Sequence, residues 1–141
     1  MVTKNNVNEI AYGIMGCAIE VNKFLGPGLL ESVYQECMIN ELKRRGYNLE
    51  IEQNVPLYYK GDKIIIKDKI SNKLRLDLIV NDLVIVELKA VEALNPIFTS
   101  QILTYMKLAQ KPKGLLINFN SKNIVSGSLT FVNEFFASLP E

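Results

Sequence analysis

The chain contains no histidine, and this absence narrows the chemistry that is open to it. Serine–histidine–aspartate and cysteine–histidine triads are excluded, and so are histidine-based metal nucleases and most zinc hydrolases, because all of these need an imidazole group. Any catalysis must therefore use carboxylate, lysine or tyrosine groups, or a hard metal ion. Cysteine is scarce: Cys17 and Cys37 lack the CxxC spacing of a metal or redox site, so we expect both to be small buried apolar residues.

Long apolar runs are missing as well. No stretch approaches the roughly 18 apolar residues that can span a bilayer, and residues 1–6 lack the apolar core of a signal peptide. We therefore expect a cytoplasmic protein without a membrane partner. The 141 residues, 48% of them hydrophobic and 22% charged, are typical of one globular domain with its own core, which we expect to cover residues 1–141.

A strong net charge is absent too. Sixteen lysines and arginines oppose fifteen aspartates and glutamates, which leaves a net charge of +1, so the chain as a whole carries no basic signature for nucleic acid. Locally, however, six cations stand against two anions between Lys60 and Arg75. A solvated strand edge, where lysines discourage aggregation, and a surface that contacts phosphates both explain this segment, and the sequence leaves the two interpretations open.

Hydrophobic periodicity predicts a mixed α/β fold in which two helices are followed by a run of strands. The predicted helices cover residues 8–24, 29–45 and 96–110. The predicted strands cover residues 47–59, 64–66, 73–80, 83–90 and 113–119. The element order is then α-α-β-β-β-β-α-β. Residues 124–132 are compatible with one more strand, and the tail from Asn133 stays ambiguous between a short helix and a strand end.

Two features of this order bear on the arrangement in space. The second helix has an inward apolar stripe, formed by Leu30, Val33, Cys37 and Leu42. A helix separates the strands at 83–90 and 113–119, so these two strands are expected to be parallel neighbours. The predicted architecture is a mixed central sheet with helices packed on it.

Charged residues interrupt the most apolar pair of strands. Asp77 lies in one of them, and Glu87 and Lys89 lie in the next, among leucine, isoleucine and valine. Burying three ionisable groups is costly unless a partner or a metal ion compensates them. Because strand side chains alternate between faces, Glu87 and Lys89 share a face, and Asp77 joins them only if the turn after Val80 has an odd step. We therefore predict an odd-length loop or a bulge there.

Two carboxylates and an ammonium group in one place suit magnesium-dependent cleavage of a phosphodiester. Mg²⁺, or Mn²⁺ in its place, prefers oxygen ligands, and Asp77, Glu87 and the backbone carbonyl of Leu88 would supply part of the coordination shell. Lys89 would orient or help deprotonate the attacking water and would balance negative charge. The hairpin alone leaves an alternative open, namely a structural ion pair at a strand edge.

An ordered set of motifs resembles a known family. Residues Gly28-Leu-Leu-Glu31-Ser-Val-Tyr34 carry the signature of the GxxExxY proteins, a family within the PD-(D/E)XK nuclease superfamily. Further matching segments follow in order at residues 20–28, 59–61, 77, 87–91, 101–105 and 114–119. The resemblance covers roughly residues 10–120, and it implies a restriction-endonuclease-like α/β core.

The resemblance also implies roles for individual residues. Asp77 and Glu87 correspond to metal ligands and Lys89 to the catalytic lysine. Glu31, from the second helix, corresponds to an additional acidic residue of the site that reaches the metal directly or through a water. Gln101 resembles the glutamine that faces the active site in related nucleases. The tyrosines of the matching motifs, Tyr34 and Tyr105, are candidate substrate contacts, although by default each is a half-buried aromatic residue.

Two positions depart from the family pattern. Leu76 stands where the superfamily name has proline, and Asn22 stands where relatives often carry histidine.

The predicted function is magnesium-dependent hydrolysis of phosphodiester bonds in nucleic acid, DNA rather than RNA. The alternative is a non-catalytic nucleic-acid-binding or interaction module that retains the nuclease fold. The complete set of site residues favours the enzyme, whereas the small size and near-neutral charge favour the module, or a homodimer or protein partner that helps to hold the substrate.

Overall fold

The structure, a computed structural model, describes residues 1–54, 57–64 and 75–141. The helices are α1 (Lys4–Leu25), α2 (Glu31–Arg44), α3 (Pro96–Ala109) and α4 (Glu134–Ala137). The strands are β1 (Leu49–Asn54), β2 (Leu57–Tyr59), β3 (Asp62–Ile64), β4 (Arg75–Val80), β5 (Val84–Lys89), β6 (Lys113–Asn118) and β7 (Ser128–Val132). None of the described helices is both long and apolar enough to cross a membrane.

Five strands form a central mixed sheet in the order β1-β4-β5-β6-β7. Strands β5 and β6 are parallel, and the other neighbouring strands are antiparallel. The expected mixed α/β class and the expected parallel pair are therefore confirmed. The parallel pair exists because α3 returns the chain to the starting end of the sheet before β6 begins.

The strand count was predicted incorrectly. The single strand predicted at 47–59 is two strands in different sheets, because β2 pairs only with β3 in a small hairpin. Lys60 and Gly61 both have positive φ, at 51° and 87°, which is the backbone conformation of a tight hairpin turn. The strand predicted at 64–66 shares only Ile64 with β3, and its other residues lie outside the described part of the chain, as do residues 73 and 74.

The C-terminal segment adds elements that the sequence left open. Residues 124–132 contain β7, which is shorter than predicted and begins at Ser128. The side chain of Asn133 accepts hydrogen bonds from the backbone amides of Phe135 and Phe136 and so caps α4. The tail therefore begins with a short helix.

Helices cover both faces of the sheet. On one face α1 and α2 contribute Ile14, Tyr34 and Met38 to a core cluster that includes Leu78 and Val86. On the other face the buried residues of α3 pack on residues of the same strands, in a cluster formed by Leu76, Ile79, Ile85, Ile102, Tyr105, Met106 and Leu116. From Leu78 onward in β4, and throughout β5, side chains at even positions thus face α1 and α2. Over the same residues, side chains at odd positions face away from α1 and α2.

The inward face of α2 differs from the prediction. Leu30 is 75% exposed and Val33 is also exposed, because the helix begins only at Glu31 and its packed face is rotated. The buried residues of α2 are Tyr34, Met38, Ile39 and Leu42, so only Leu42 of the predicted stripe is fully buried. The cysteines are both free; Cys17 is buried as expected, and Cys37 is half-buried.

Candidate active site

The turn between β4 and β5 contains three residues. Val80 pairs with Val84 and Leu78 pairs with Val86, so the register places Asp77 opposite Glu87. Asn81 and Asp82 adopt left-handed conformations, with φ of 50° and 58°, which these residue types tolerate better than most. The predicted odd-length loop is confirmed, and it brings the two carboxylates together, each within hydrogen-bonding reach of the other strand.

Carboxylate side chains link the two strands where the β4–β5 ladder ends. The backbone amide of Asp77 donates to Oε1 of Glu87 at 3.1 Å. The backbone amide of Leu88 donates to Oδ2 of Asp77 at 2.9 Å. Because the N–H and C=O of one strand residue point to the same side, the carbonyl of Leu88 is also directed towards β4 and Asp77. The role of this carbonyl as an oxygen ligand stays a prediction.

Burial makes the charged forms of these two carboxylates costly. Glu87 is only 7% exposed, and burial raises its pKa from 4.5 to about 8, with the negative charge of Asp77 adding to the effect. Burial also raises the pKa of Asp77, although the hydrogen bond from the Leu88 amide and the positive charge of Lys89 oppose this. Two adjacent, poorly solvated carboxylates attract a cation.

The donor chemistry of this pair fits a hard divalent cation, since both side chains offer carboxylate oxygens. Within the described residues, no group of three or more acidic, thiol or imidazole side chains is arranged to hold a metal ion. Asp77 and Glu87 would therefore need the Leu88 carbonyl and water molecules to complete an octahedral shell, and Mg²⁺ commonly retains several waters.

Lys89 follows on the same strand and the same face. Its Nζ lies 4.5 Å from the centroid of the Phe98 ring in α3, a cation–π contact that restrains the flexible side chain. Its positive charge lowers the pKa of both Asp77 and Glu87. The ammonium group therefore rests on the aromatic ring and lies near enough to the carboxylate pair for its charge to act on both.

Glu31 approaches the site from the start of α2. Partial burial raises the pKa of its carboxyl group, the charge of Lys89 lowers it, and the charge of Asp77 raises it again. Glu31 is thus near enough to Lys89 and Asp77 for both charges to act on it. Its role as a metal ligand, directly or through a water, stays a prediction.

Tyr34 organises the loop that presents Glu31. Its hydroxyl donates to the carbonyl of Gly26 at 2.6 Å and accepts from the backbone amide of Leu29 at 3.1 Å. Its ring stacks on Phe119 with 4.7 Å between centroids. Because Tyr34 is completely buried, its side chain cannot contact a substrate as predicted. The structure corrects this assignment to that of a positioning residue.

The third helix supplies the other two predicted residues. Tyr105 is mostly buried, and burial followed by the charges of Glu87 and Asp77 raises its pKa, so its ring lies beside the carboxylate pair. Gln101 is exposed and lies one helical turn before Tyr105 and three residues after Phe98. Since residues three and four apart share a helix face, Gln101 lies on the face that borders the site.

One acidic residue at the site was missed from the sequence. In β1, Ile51 pairs with Leu78 and Gln53 pairs with Leu76, so Glu52 stands opposite Asp77. Glu52 has a φ of 52°, and its charge raises the pKa of Asp77. The local sequence resembles an ordinary solvated strand, and only the long-range register of β1 against β4 reveals the proximity.

The two departures from the family pattern have structural counterparts. Leu76, in place of proline, is completely buried in the cluster under α3. Asn22, in place of histidine, donates from its side-chain amide to the carbonyl of Phe119 at 3.3 Å. Asn22 therefore ties the end of α1 to the residue that stacks on Tyr34.

Comparison with known families agrees with this geometry. The family model of the PD-(D/E)XK nuclease superfamily matches residues 8–128, a segment that contains every site residue named above. No characterised protein and no solved structure matches the chain. The five-stranded mixed sheet, flanked by helices, is consistent with the restriction-endonuclease-like fold of that superfamily. The chain belongs to the PD-(D/E)XK nuclease superfamily.

Proposed function

We propose that the protein is a metal-dependent nuclease that hydrolyses phosphodiester bonds in nucleic acid, with DNA as its main substrate and Mg²⁺ or Mn²⁺ as its cofactor. The observation that supports this most strongly is the pairing of Asp77 with Glu87 in a buried position beside Lys89. Superfamily membership supports a nuclease that interacts with nucleic acid and uses a divalent metal ion.

Each residue has a role that follows from its position. Asp77, Glu87 and the Leu88 carbonyl would hold the metal, which when bound neutralises phosphoryl oxygens and lowers the pKa of water. Lys89, held by Phe98, would orient the attacking water and balance charge that develops on the phosphate. The remaining polar groups at the site, those of Glu31, Gln101 and Tyr105, would position water and the scissile phosphate.

A specific observation favours the non-catalytic alternative. Each carboxylate of the pair already accepts a hydrogen bond from a main-chain amide of the same hairpin, so Asp77 and Glu87 have a structural role whether or not a metal binds. The small net charge of +1 also gives little electrostatic attraction for a polyanion. A second copy of the chain or a protein partner would then supply the missing contacts.

Two finer assignments belong to the same proposal. We place the chain among the GxxExxY proteins on the strength of the Gly28, Glu31 and Tyr34 spacing. We also propose that residues 1–141 act as one nuclease-like domain, which the packing of helices from both ends of the chain on one sheet supports.

The test is cleavage of single-stranded DNA, duplex DNA and RNA with Mg²⁺ or Mn²⁺. Lys89→Ala and Asp77→Ala should each abolish metal-dependent cleavage. Lys107→Ala, on the exposed side of α3, and Asp82→Asn, at the exposed turn, are matched controls that should retain it. Cleavage that survives both site substitutions would come from a contaminant, and failure of the wild-type protein to bind either metal in calorimetry would favour the non-catalytic module.

A further inference from the structure

A small two-stranded hairpin lies between β1 and β4 in the sequence. We call residues 57–64, which form β2, the turn and β3, the hairpin arm. Its two tyrosines, Tyr58 and Tyr59, are 59% and 61% exposed. They are adjacent in the strand, so their rings point to opposite faces of the arm. Exposed aromatic rings on both faces are not needed for a core and offer flat apolar surfaces to a ligand.

Lysines accompany the two rings. Tyr58 pairs across the hairpin with Lys63, so both side chains lie on one face. Lys60 lies with its Nζ 5.4 Å from the centroid of the Tyr59 ring. Lys60 also occupies a left-handed turn position, with φ of 51°, where glycine or asparagine would be favoured. The turn itself therefore does not explain why a lysine stands there.

The arm leaves the central sheet at the same end as the candidate active site. Asn54, the last residue of β1, pairs with Arg75, which is two residues before Asp77. Leu57 follows Asn54 by three residues, so their Cα atoms are at most about 11 Å apart, since consecutive Cα atoms are about 3.8 Å apart. A polymer bound at Asp77 therefore has a short path to the arm.

We propose that the hairpin arm binds an unpaired nucleic-acid strand, with bases stacking on Tyr58 and Tyr59 and phosphates contacting Lys60 and Lys63. Stacking requires bases whose faces are accessible, as they are in a single strand or a frayed end. The charge of the lysines is complementary to the phosphate backbone. This inference rests on the proposed nuclease function and adds a substrate class to it, namely strands with unpaired bases.

Binding is measured separately from cleavage, in EDTA and with Lys89→Ala as the background, so that the oligonucleotide stays intact. The probe is a fluorescein-labelled oligothymidylate of about 12 nucleotides, within the range of single-strand site sizes, and the matched duplex is the comparison. Tyr58→Ala and Tyr59→Ala should each weaken binding of the single strand at least about fivefold, as expected for loss of one stacked base. Tyr58→Phe and Tyr59→Phe should retain binding, because the ring is kept.

Tyr12→Ala is the matched control for the tyrosines, since Tyr12 is 85% exposed on α1.

The salt dependence of binding distinguishes the contribution of the lysines from that of the tyrosine rings. Lys60→Ala combined with Lys63→Ala should reduce the slope of log affinity against log salt by about 1.4, or about 0.7 for each phosphate contact with a single strand. The tyrosine variants should leave that slope unchanged. Lys43→Ala combined with Lys122→Ala, both exposed, is the control for charge.

A spectroscopic measurement adds a direct readout. The chain contains no tryptophan, so Tyr58→Trp introduces one fluorophore on the arm. Its emission should be quenched when the oligothymidylate is added, and Tyr12→Trp should show no quenching. Circular dichroism of each variant checks that the fold is retained.

The outcomes distinguish the arm from the enzyme. If the protein binds and cleaves single strands but the arm substitutions change neither affinity nor salt slope, the arm proposal is wrong and the nuclease proposal stands. If the wild-type protein binds no oligonucleotide at low salt, both are wrong. If the tyrosine substitutions alter self-association and leave oligonucleotide affinity unchanged, the arm is a protein contact and the proposal is overturned.

Discussion

Asp77 and Glu87 stand opposite each other across the β4–β5 hairpin, and the backbone amide of Asp77 donates to the Glu87 carboxylate at 3.1 Å. The pair lies at the end of the strand ladder, with Glu87 almost wholly buried. Without a cation, the folded protein retains a proton on this pair at a pH where the unfolded chain has lost it, because burial raises the Glu87 pKa to about 8. Stability, metal binding and pH are therefore linked at this site.

The first prediction concerns the stability of the metal-free protein. The pKa of Glu87 is raised on folding, from 4.5 to about 8, so the folded state holds its proton more tightly than the unfolded state. Stability should therefore be unaffected by this group below pH 4.5, fall as pH rises from 4.5 to 8, and stay low above 8. Glu87→Gln should remove this loss and stabilise the protein at pH 8.5 by about 2–4 kcal/mol, since one pKa unit corresponds to about 1.4 kcal/mol.

Urea unfolding in EDTA at pH 5 and pH 8.5 measures this difference. Glu41→Gln, on α2 away from the hairpin, is the control and should leave the pH dependence unchanged. Addition of Mg²⁺ should stabilise the wild-type protein more at pH 8.5 than at pH 5 and should have little effect on Glu87→Gln. Equal stabilisation of both proteins by Mg²⁺ would show that Glu87 is not a ligand.

The second prediction concerns Tyr34. Tyr34→Phe keeps the ring that stacks on Phe119 and removes the hydroxyl that bonds to Gly26 and Leu29. The Leu29 amide and the Gly26 carbonyl lose that partner, so stability should fall by about 1–2 kcal/mol. Because the loop presents Glu31, metal affinity should fall as well, while the affinity for single-stranded oligonucleotide in EDTA should not change. Tyr12→Phe is the control, and an unchanged metal affinity in Tyr34→Phe would mean that the loop does not position Glu31.

Rules that involve only neighbouring residues, such as side-chain alternation and helix capping, were sufficient to predict part of this structure from the sequence. Side-chain alternation requires an odd step after Val80 if Asp77 is to meet Glu87, and the structure has a three-residue turn there. The Asn95 cap of α3 is equally local, because its side chain accepts from the Ile97 amide and the proline that follows suits the first helical turn. Such features depend on a few neighbouring residues, so the sequence alone predicts them.

Other features of the site were predicted wrongly or missed, mostly because they depend on contacts between residues far apart in the sequence. Tyr34 was expected to be half-buried and a candidate for substrate contact, but stacking on Phe119, which is 85 positions later in the chain, buries it completely. Glu52 was missed because its proximity to Asp77 depends on how β1 pairs with β4. The apolar stripe of α2 was misplaced at Leu30 for a local reason: the Tyr34 hydroxyl bonds to Gly26 and Leu29 in the loop before the helix, and the helix begins only at Glu31.

The third prediction concerns turn length. Deleting Asp82 leaves a two-residue turn of Asn81 and Leu83, in which Val80 still pairs with Val84 and Asp77 stays opposite Glu87. Metal binding and cleavage should therefore both persist, because the register of β4 against β5 does not change. Asp82→Asn is the matched control: it keeps the turn length and removes only the ion pair with Lys111, which is 2.6 Å long and exposed on the aspartate side. Exposed ion pairs contribute about 0–1 kcal/mol, so this control should remain active. Loss of metal binding in a deletion variant that keeps its fold, as checked by circular dichroism, would contradict the assigned register.

The last prediction concerns the contact between Lys89 and Phe98. Phe98→Leu keeps an apolar side chain of similar size but removes the ring face on which the ammonium group rests, at 4.5 Å from its centroid. The lysine should then sample more orientations, and kcat should fall about three- to tenfold, equivalent to about 0.7–1.4 kcal/mol and within the range of cation–π contacts. KM should change little, because the substrate does not need this contact to bind. Phe98→Tyr preserves the ring face and should restore kcat. A Phe98→Leu variant with unchanged kcat, or with a defect in KM alone, would show that Lys89 is positioned by something other than the ring.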